Sequence, residues 1–79
     1  MAEKIILYST KWCPWCKRVR DFLISRKIKF IERDVEKSKK YADEVIKKSK
    51  QMGIPITDVD GKIIIGFDEK KLKKALKIK

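Results

Sequence analysis

The sequence predicts an α/β domain of order β-α-β-α-β-β-α on a four-stranded mixed sheet, and three observations carry that expectation. Short β-branched runs alternate with stretches of helical periodicity through Ser49, an order whose strong default is a parallel strand pair joined by a right-handed crossover. Asp60-Gly61 then separates two further β-branched runs, the strongest short signal for a tight antiparallel hairpin. The length, 79 residues, allows a single domain over residues 1–79 with a modest core, because so short a chain buries only about 60% of its unfolded surface.

Each element has its own local reason. KIILYS, residues 4–9, is short, apolar and bounded by polar residues, which suits a buried strand ending near Ser9. From Pro14 onward Val19, Phe22 and Leu23 recur at helical spacing among Lys17, Arg18, Arg20, Asp21 and Arg26, so an amphipathic helix opens at the cysteines. KIKFIERDV, carrying Ile28, Phe30, Ile31 and Val35, predicts a second strand-like run. A helix follows from about Ser38 to Ser49, with Ser38 as its N-cap and Tyr41, Ala42, Val45 and Ile46 on one apolar face. GIPITDV and KIIIGF form the hairpin, whose Asp60-Gly61 turn needs positive φ at both central positions. Asp68 can cap a last helix in which Leu72, Ala75 and Leu76 face the core and the lysines face water. Tyr8 and Tyr41 are most simply core edges. No linker, internal repeat or low-complexity segment interrupts this order.

Composition narrows the partners. Apolar residues make up 43% and charged residues 42% of the chain, too apolar and too interleaved for disorder, so a compact, highly soluble domain is expected. The net charge of +11 admits nucleic acid or an acidic membrane, but Lys is spread throughout and mixed with Glu and Asp. That is the pattern of a solvated surface, and neither partner is expected. No span approaches the roughly 18 apolar residues of a membrane helix. The run IILY behind Glu3 lacks the basic region and the roughly 7–15 apolar residues of a signal peptide. A cytoplasmic location follows as the expectation. The two cysteines are too few for a secreted disulfide framework, and in a reducing cytosol a C-x-x-C pair is more often catalytic or metal-binding. Asn is absent, Gln occurs once, and Lys and Ile abound, the bias of proteins from hot environments, whose cytosols tolerate stable disulfides.

The chemistry concentrates in KWCPWCK, residues 11–17, which holds both cysteines. With Cys13 as N-cap, Pro14 takes the first helical position, where its missing N–H is no loss. The N–H groups of Trp15 and Cys16 then point at the Cys13 sulfur, and the helix dipole with Lys11, Lys17 and Arg18 favours its thiolate, the nucleophilic form. Cys16, one turn further in, would lie beside it but deeper, able to resolve a mixed disulfide by attacking Cys13. This exchange needs no separate base, which suits a chain with no histidine and argues against a Cys-His hydrolase. A zinc or iron–sulfur site needs four ligands and one C-x-x-C supplies two. A cluster shared between two chains, or an inert structural pair, stays open beside the redox reading. Trp12 is expected to pack under the active-site loop, since Trp is highly buried on average. Trp15, between the cysteines, is expected to face solvent, where a partner could meet it.

Taken together, C-P-W-C opening a helix after a short strand, I-P-I before a hairpin, and G-F-D leading into the last helix resemble a small glutaredoxin-like thiol–disulfide oxidoreductase of the thioredoxin fold. The resemblance covers nearly the whole chain and implies helices on both faces of the sheet. It implies a redox-active Cys13–Cys16 disulfide as the reacting group, with no further cofactor and no metal. It also implies a cis bond before Pro55, a residue already awkward inside a strand run, with the Ile54 backbone docking an extended substrate. The binding set is then Lys11, Trp15, Ile54, Pro55, Gly66, Phe67 and Asp68.

Glutathione-binding members usually carry Lys or Arg where Thr10 stands, Thr-Val-Pro where Gly53-Ile54-Pro55 stands, and Gly-Gly before an acidic cap where Gly66-Phe67 precedes Asp68. Lys11 could substitute from one residue later and Asp68 from one residue earlier, which keeps glutathione as a co-substrate candidate. Gly66-Phe67 looks more like glutaredoxin-like proteins served by a thioredoxin reductase. Disulfide-containing proteins are the expected substrates, a thioredoxin reductase or glutathione the expected electron donor, and a monomer the expected state. The rival is a basic thioredoxin-fold binding module holding an inter-subunit iron–sulfur cluster or an acidic partner.

Overall fold

IILYS, with every residue buried, becomes the strand around which the molecule is built. The computed structural model describes residues 4–51 and 53–77. In chain order the elements are β1 (Ile5–Ser9), α1 (Pro14–Ser25), β2 (Ile31–Asp34), α2 (Lys39–Ser49), β3 (Ile56–Val59), β4 (Lys62–Ile65) and α3 (Glu69–Leu76). Side chains alternate across a strand, so β1 feeds two cores. Ile5 and Leu7 pack with Val19, Phe22 and Leu23 of α1 and Leu72 and Leu76 of α3. Ile6 and Tyr8 pack on the opposite face with Val45 of α2 and Ile56. An unbroken apolar run is what a strand covered on both faces requires.

The strand order is β2-β1-β3-β4. β1 pairs parallel with β2, from Ile6 opposite Ile31 to Ser9 opposite Asp34, and antiparallel with β3, Leu7 opposite Thr57. β3 and β4 form the antiparallel hairpin. The mixed four-stranded sheet, the β-α-β-α-β-β-α order and helices on both faces are as predicted. At the hairpin turn Asp60 and Gly61 take φ of 51° and 94°, and the Asp58 carboxylate accepts the Gly61 N–H at 2.7 Å.

Two local expectations along the chain need correction, as does a third at Tyr8. Only Ile31–Asp34 of KIKFIERDV is strand. Ile28 instead donates its N–H to Leu23 O at 3.0 Å, closing the end of α1 behind Lys27 at φ 58°, and Ile28 and Phe30 pack on the α1–α3 core from the connection. Ile46 is exposed rather than part of the buried face of α2, which fully buries Val45 alone. Ser38 is the N-cap of α2, yet its side chain makes no capping bond.

Much of what holds α2 to the sheet is polar. Tyr8 is not a core edge but wholly buried, and its hydroxyl donates to Glu44 at 2.7 Å and receives Lys48 at 2.8 Å. Lys48 also reaches Asp58 at 2.6 Å, and Arg33 reaches Glu44 at 2.6 Å. Burial raises the Tyr8 phenol above its ordinary value, while the Tyr8 hydroxyl and then Arg33 hold the Glu44 carboxyl below its own. Tyr41 is half-buried against the same core, with the Arg33 guanidinium 5.3 Å over its ring. Among the described residues, no helix is long and apolar enough to cross a membrane.

Candidate active site

Tyr8 lies opposite Ile56, and Ile56 opposite Ile65, so three chain segments leave the sheet at one end. The loop after β1, the entry to β3 at Ile54-Pro55 and the exit of β4 at Gly66-Phe67 therefore meet. A bond from Gly66 N–H to Pro55 O at 2.8 Å ties the last two together. Gly66 turns away with φ 73°, the left-handed region that a side chain resists.

Cys13 is the N-cap of α1, extended at φ −82° and ψ 114°, with Pro14 opening the helix. Its sulfur accepts the Cys16 N–H at 3.2 Å, the third helical position that an N-cap side chain ordinarily serves. The second donor expected from Trp15 is not among its bonds. Cys13 is 7% exposed and Cys16 0%, both free thiols, so Cys13 is the outer of the two and Cys16 the inner. Burial pushes the Cys16 thiol up to about 12, with the adjacent Cys13 sulfur adding to the effect, while a backbone hydrogen bond from Thr10 and the charge of Arg20 oppose it. Arg20 is itself held by Glu32, at 2.9 Å through Nε, and Glu32 accepts the Ser9 hydroxyl at 2.6 Å. Those two partners, Arg20 foremost, keep the Glu32 carboxyl below its ordinary range.

Beside the thiols runs an open groove of about 400 Å³ lined by Trp15, Ile54, Pro55, Gly66, Phe67 and Asp68, with Ile65 added. The Ile54–Pro55 bond is cis, and Pro55 is buried. Phe67 is anchored to the core edge-on against Phe22, ring centres 6.2 Å apart. Asp68 caps α3 by accepting the Lys71 N–H at 3.1 Å. The backbone N–H and C=O of Ile54 have no hydrogen-bond partner among the described residues.

Six of the seven predicted binding residues thus converge. Lys11 does not join them: it lines a separate cavity of about 370 Å³ with Thr10, Arg20, Glu32, Asp34 and Lys37, because the loop carries its side chain toward the β2 edge. Ile65 was missed. Its signal was the last position of KIII, where an apolar side chain stays half-exposed at the groove wall. Trp12 contradicts its expectation, being 69% exposed. Thr10 and Cys16 are buried on either side of it in the chain, and the Trp12 indole N–H finds its partner at the surface, on Glu36. Trp15 is 54% exposed as expected, with the Arg18 guanidinium 4.8 Å over its ring. Among the described residues no three His, Cys, Asp or Glu side chains group as metal ligands would.

A family model described as glutaredoxin matches residues 5–64. A glutaredoxin-like 8.6 kDa protein from a rubredoxin operon of Clostridium pasteurianum is 39% identical over 72 residues, 91% of this chain and 96% of that one. Among solved structures, a mutant form of the thioredoxin-like protein BC3987 superposes with a TM-score of 0.91 at 28% identity, over 98% of this chain and 99% of its own. A glutaredoxin from Archaeoglobus fulgidus superposes with a TM-score of 0.87 at 28% identity, over 96% of this chain and 87% of its own.

Proposed function

Since this chain belongs to the glutaredoxin family, we propose that it is a dithiol–disulfide oxidoreductase reducing protein or low-molecular-weight disulfides. The observation that carries the reading is the pairing of an N-cap Cys13, the outer cysteine, with a fully buried Cys16 one turn into the helix.

In the first step the Cys13 thiolate attacks one sulfur of a substrate disulfide. A Cys13–substrate disulfide forms, and the second substrate sulfur leaves as a thiolate that takes a proton from water. The Cys16 N–H, aimed at Cys13 Sγ, supports the sulfur while it carries charge. In the second step Cys16 gives up its proton to solvent and attacks Cys13 Sγ, releasing the remaining substrate sulfur as a thiol. The substrate gains two electrons and the Cys13–Cys16 pair loses two. An external donor returns them: either a thioredoxin reductase or two molecules of glutathione, which leave as their disulfide. Ile54 supplies free backbone groups for an extended substrate beside Pro55, a short β-augmentation.

Replacing Cys13 by Ser is expected to abolish reduction of any disulfide, and retained turnover would sink the assignment. Replacing Cys16 by Ser is expected to leave a stable mixed disulfide on Cys13, visible as an added mass on the intact protein. Turnover by protein reductase and by glutathione, measured side by side, identifies the donor.

A further inference from the structure

Ile54 also lines a small apolar cavity of about 50 Å³ together with Val35, Ala42 and Val45, of which Val35 and Val45 belong to the core on the α2 face of the sheet. Ile54 lines both spaces and is the residue whose backbone N–H and C=O are unpaired among the described residues. A chain that pairs with those groups extends the sheet by one strand position, and successive side chains of a strand point to opposite sides. One side chain of such a chain meets the groove, and its neighbour meets the small cavity. The cavity is several times the roughly 10–15 Å³ that one water needs, and its walls carry no polar side chain, so an aliphatic group suits it.

Charge at the rim adds a second constraint. Arg18, next to the groove residue Trp15, is exposed, and among the described residues it has no carboxylate partner. Arg18 lies on the Trp15 ring instead. The carboxylate in the groove, Asp68, is engaged in capping α3. An acidic segment complements the unpaired Arg18 guanidinium beside the groove.

Resting on the oxidoreductase reading, we propose that the cavity of Val35, Ala42, Val45 and Ile54 is a side-chain subsite. It selects protein disulfides whose cysteine lies in an extended, acidic segment next to a short aliphatic residue. Glutathione, with glycine and a γ-linked glutamate flanking its cysteine, offers the cavity nothing.

The test uses disulfide-linked peptides of equal length: an acidic one with Val beside the cysteine, its Gly counterpart, and a Val peptide with lysines for the acids. kcat/KM is expected to fall about 10–100-fold from Val to Gly, the range that methylene-scale recognition spans, and to fall also from acidic to basic flanks. Within Ala42→Leu, which fills the cavity, the Val-to-Gly ratio is expected to approach one. Should that variant fail to fold, Val35→Ala is expected to move the preference from Val toward Leu. Equal rates for Val and Gly, or oxidised glutathione turned over as well as the Val peptide, would overturn the subsite. Equal rates for acidic and basic flanks would overturn the acidic segment. In either case, turnover of 2-hydroxyethyl disulfide by the unaltered protein leaves the oxidoreductase reading standing. Loss of turnover on every disulfide would overturn both.

Discussion

A thiol held at about 12, as burial holds Cys16, is almost wholly protonated at neutral pH, yet the second step of the proposed exchange would consume its thiolate. Release of substrate from a preformed Cys13 mixed disulfide is therefore expected to quicken about tenfold per pH unit between roughly pH 7 and 9. Stopped-flow measurement of that release checks it, and a flat profile contradicts it. The same shift bears on stability. The unfolded thiol ionises near pH ~8.5 while the folded one stays protonated, so stability that is complete below that point drains away as pH rises toward 12. Tyr8, also raised by burial, acts in the same direction. Urea midpoints of the reduced protein are expected to fall through this range, and less steeply in Cys16→Ser. At this scale the sequence was most legible where cause is local: Cys13 as cap and Pro14 after it follow from adjacent positions. Trp12 was not legible, because the residue that holds its indole, Glu36, lies 24 positions away.

The elements differ in what attaches them. α1 and α3 bury aliphatic stripes that periodicity reveals, whereas α2 buries Val45 and otherwise docks through Tyr8, Arg33, Lys48, Glu44 and Asp58. Helical spacing of apolar residues cannot display such a network, since its members come from three strands and a helix. That is why Ile46 read as core and is surface. Asp58 receives both Lys48 Nζ and the Gly61 N–H, so Asp58→Ala is expected to cost about 1–3 kcal/mol in a urea titration. Glu44 and Glu32 sit below the ordinary carboxyl range through hydrogen bonds from Tyr8 and Arg20 respectively. Their contribution is present above pH ~4.3 and lost as the solution becomes more acidic. Glu32→Gln is expected to flatten the acid limb of the stability curve. Gly61, at φ 94°, makes the hairpin turn intolerant of side chains, and Gly61→Ala is expected to lower stability by about 1–2 kcal/mol.

For the whole molecule, one central strand with a core on each side is an economical plan, and it was readable because IILY is too short for a helix and too apolar for an edge. The edges were less readable: where β2 begins depends on how α1 ends, which its own residues do not state. A domain of this size keeps only about 0.05–0.15 kcal/mol per residue of net stability. Leu23, fully buried between α1 and the sheet, is thus expected on truncation to Ala to cost about 2–5 kcal/mol, a large part of the total. Both tryptophans of the chain stand at the rim of the dithiol, and both are largely exposed. Intrinsic fluorescence excited at the red edge of the aromatic band therefore comes entirely from this rim. On the oxidoreductase reading, sulfur oxidation and the arrival of a partner are both expected to register in that emission, an optical reporter of working state that needs no label.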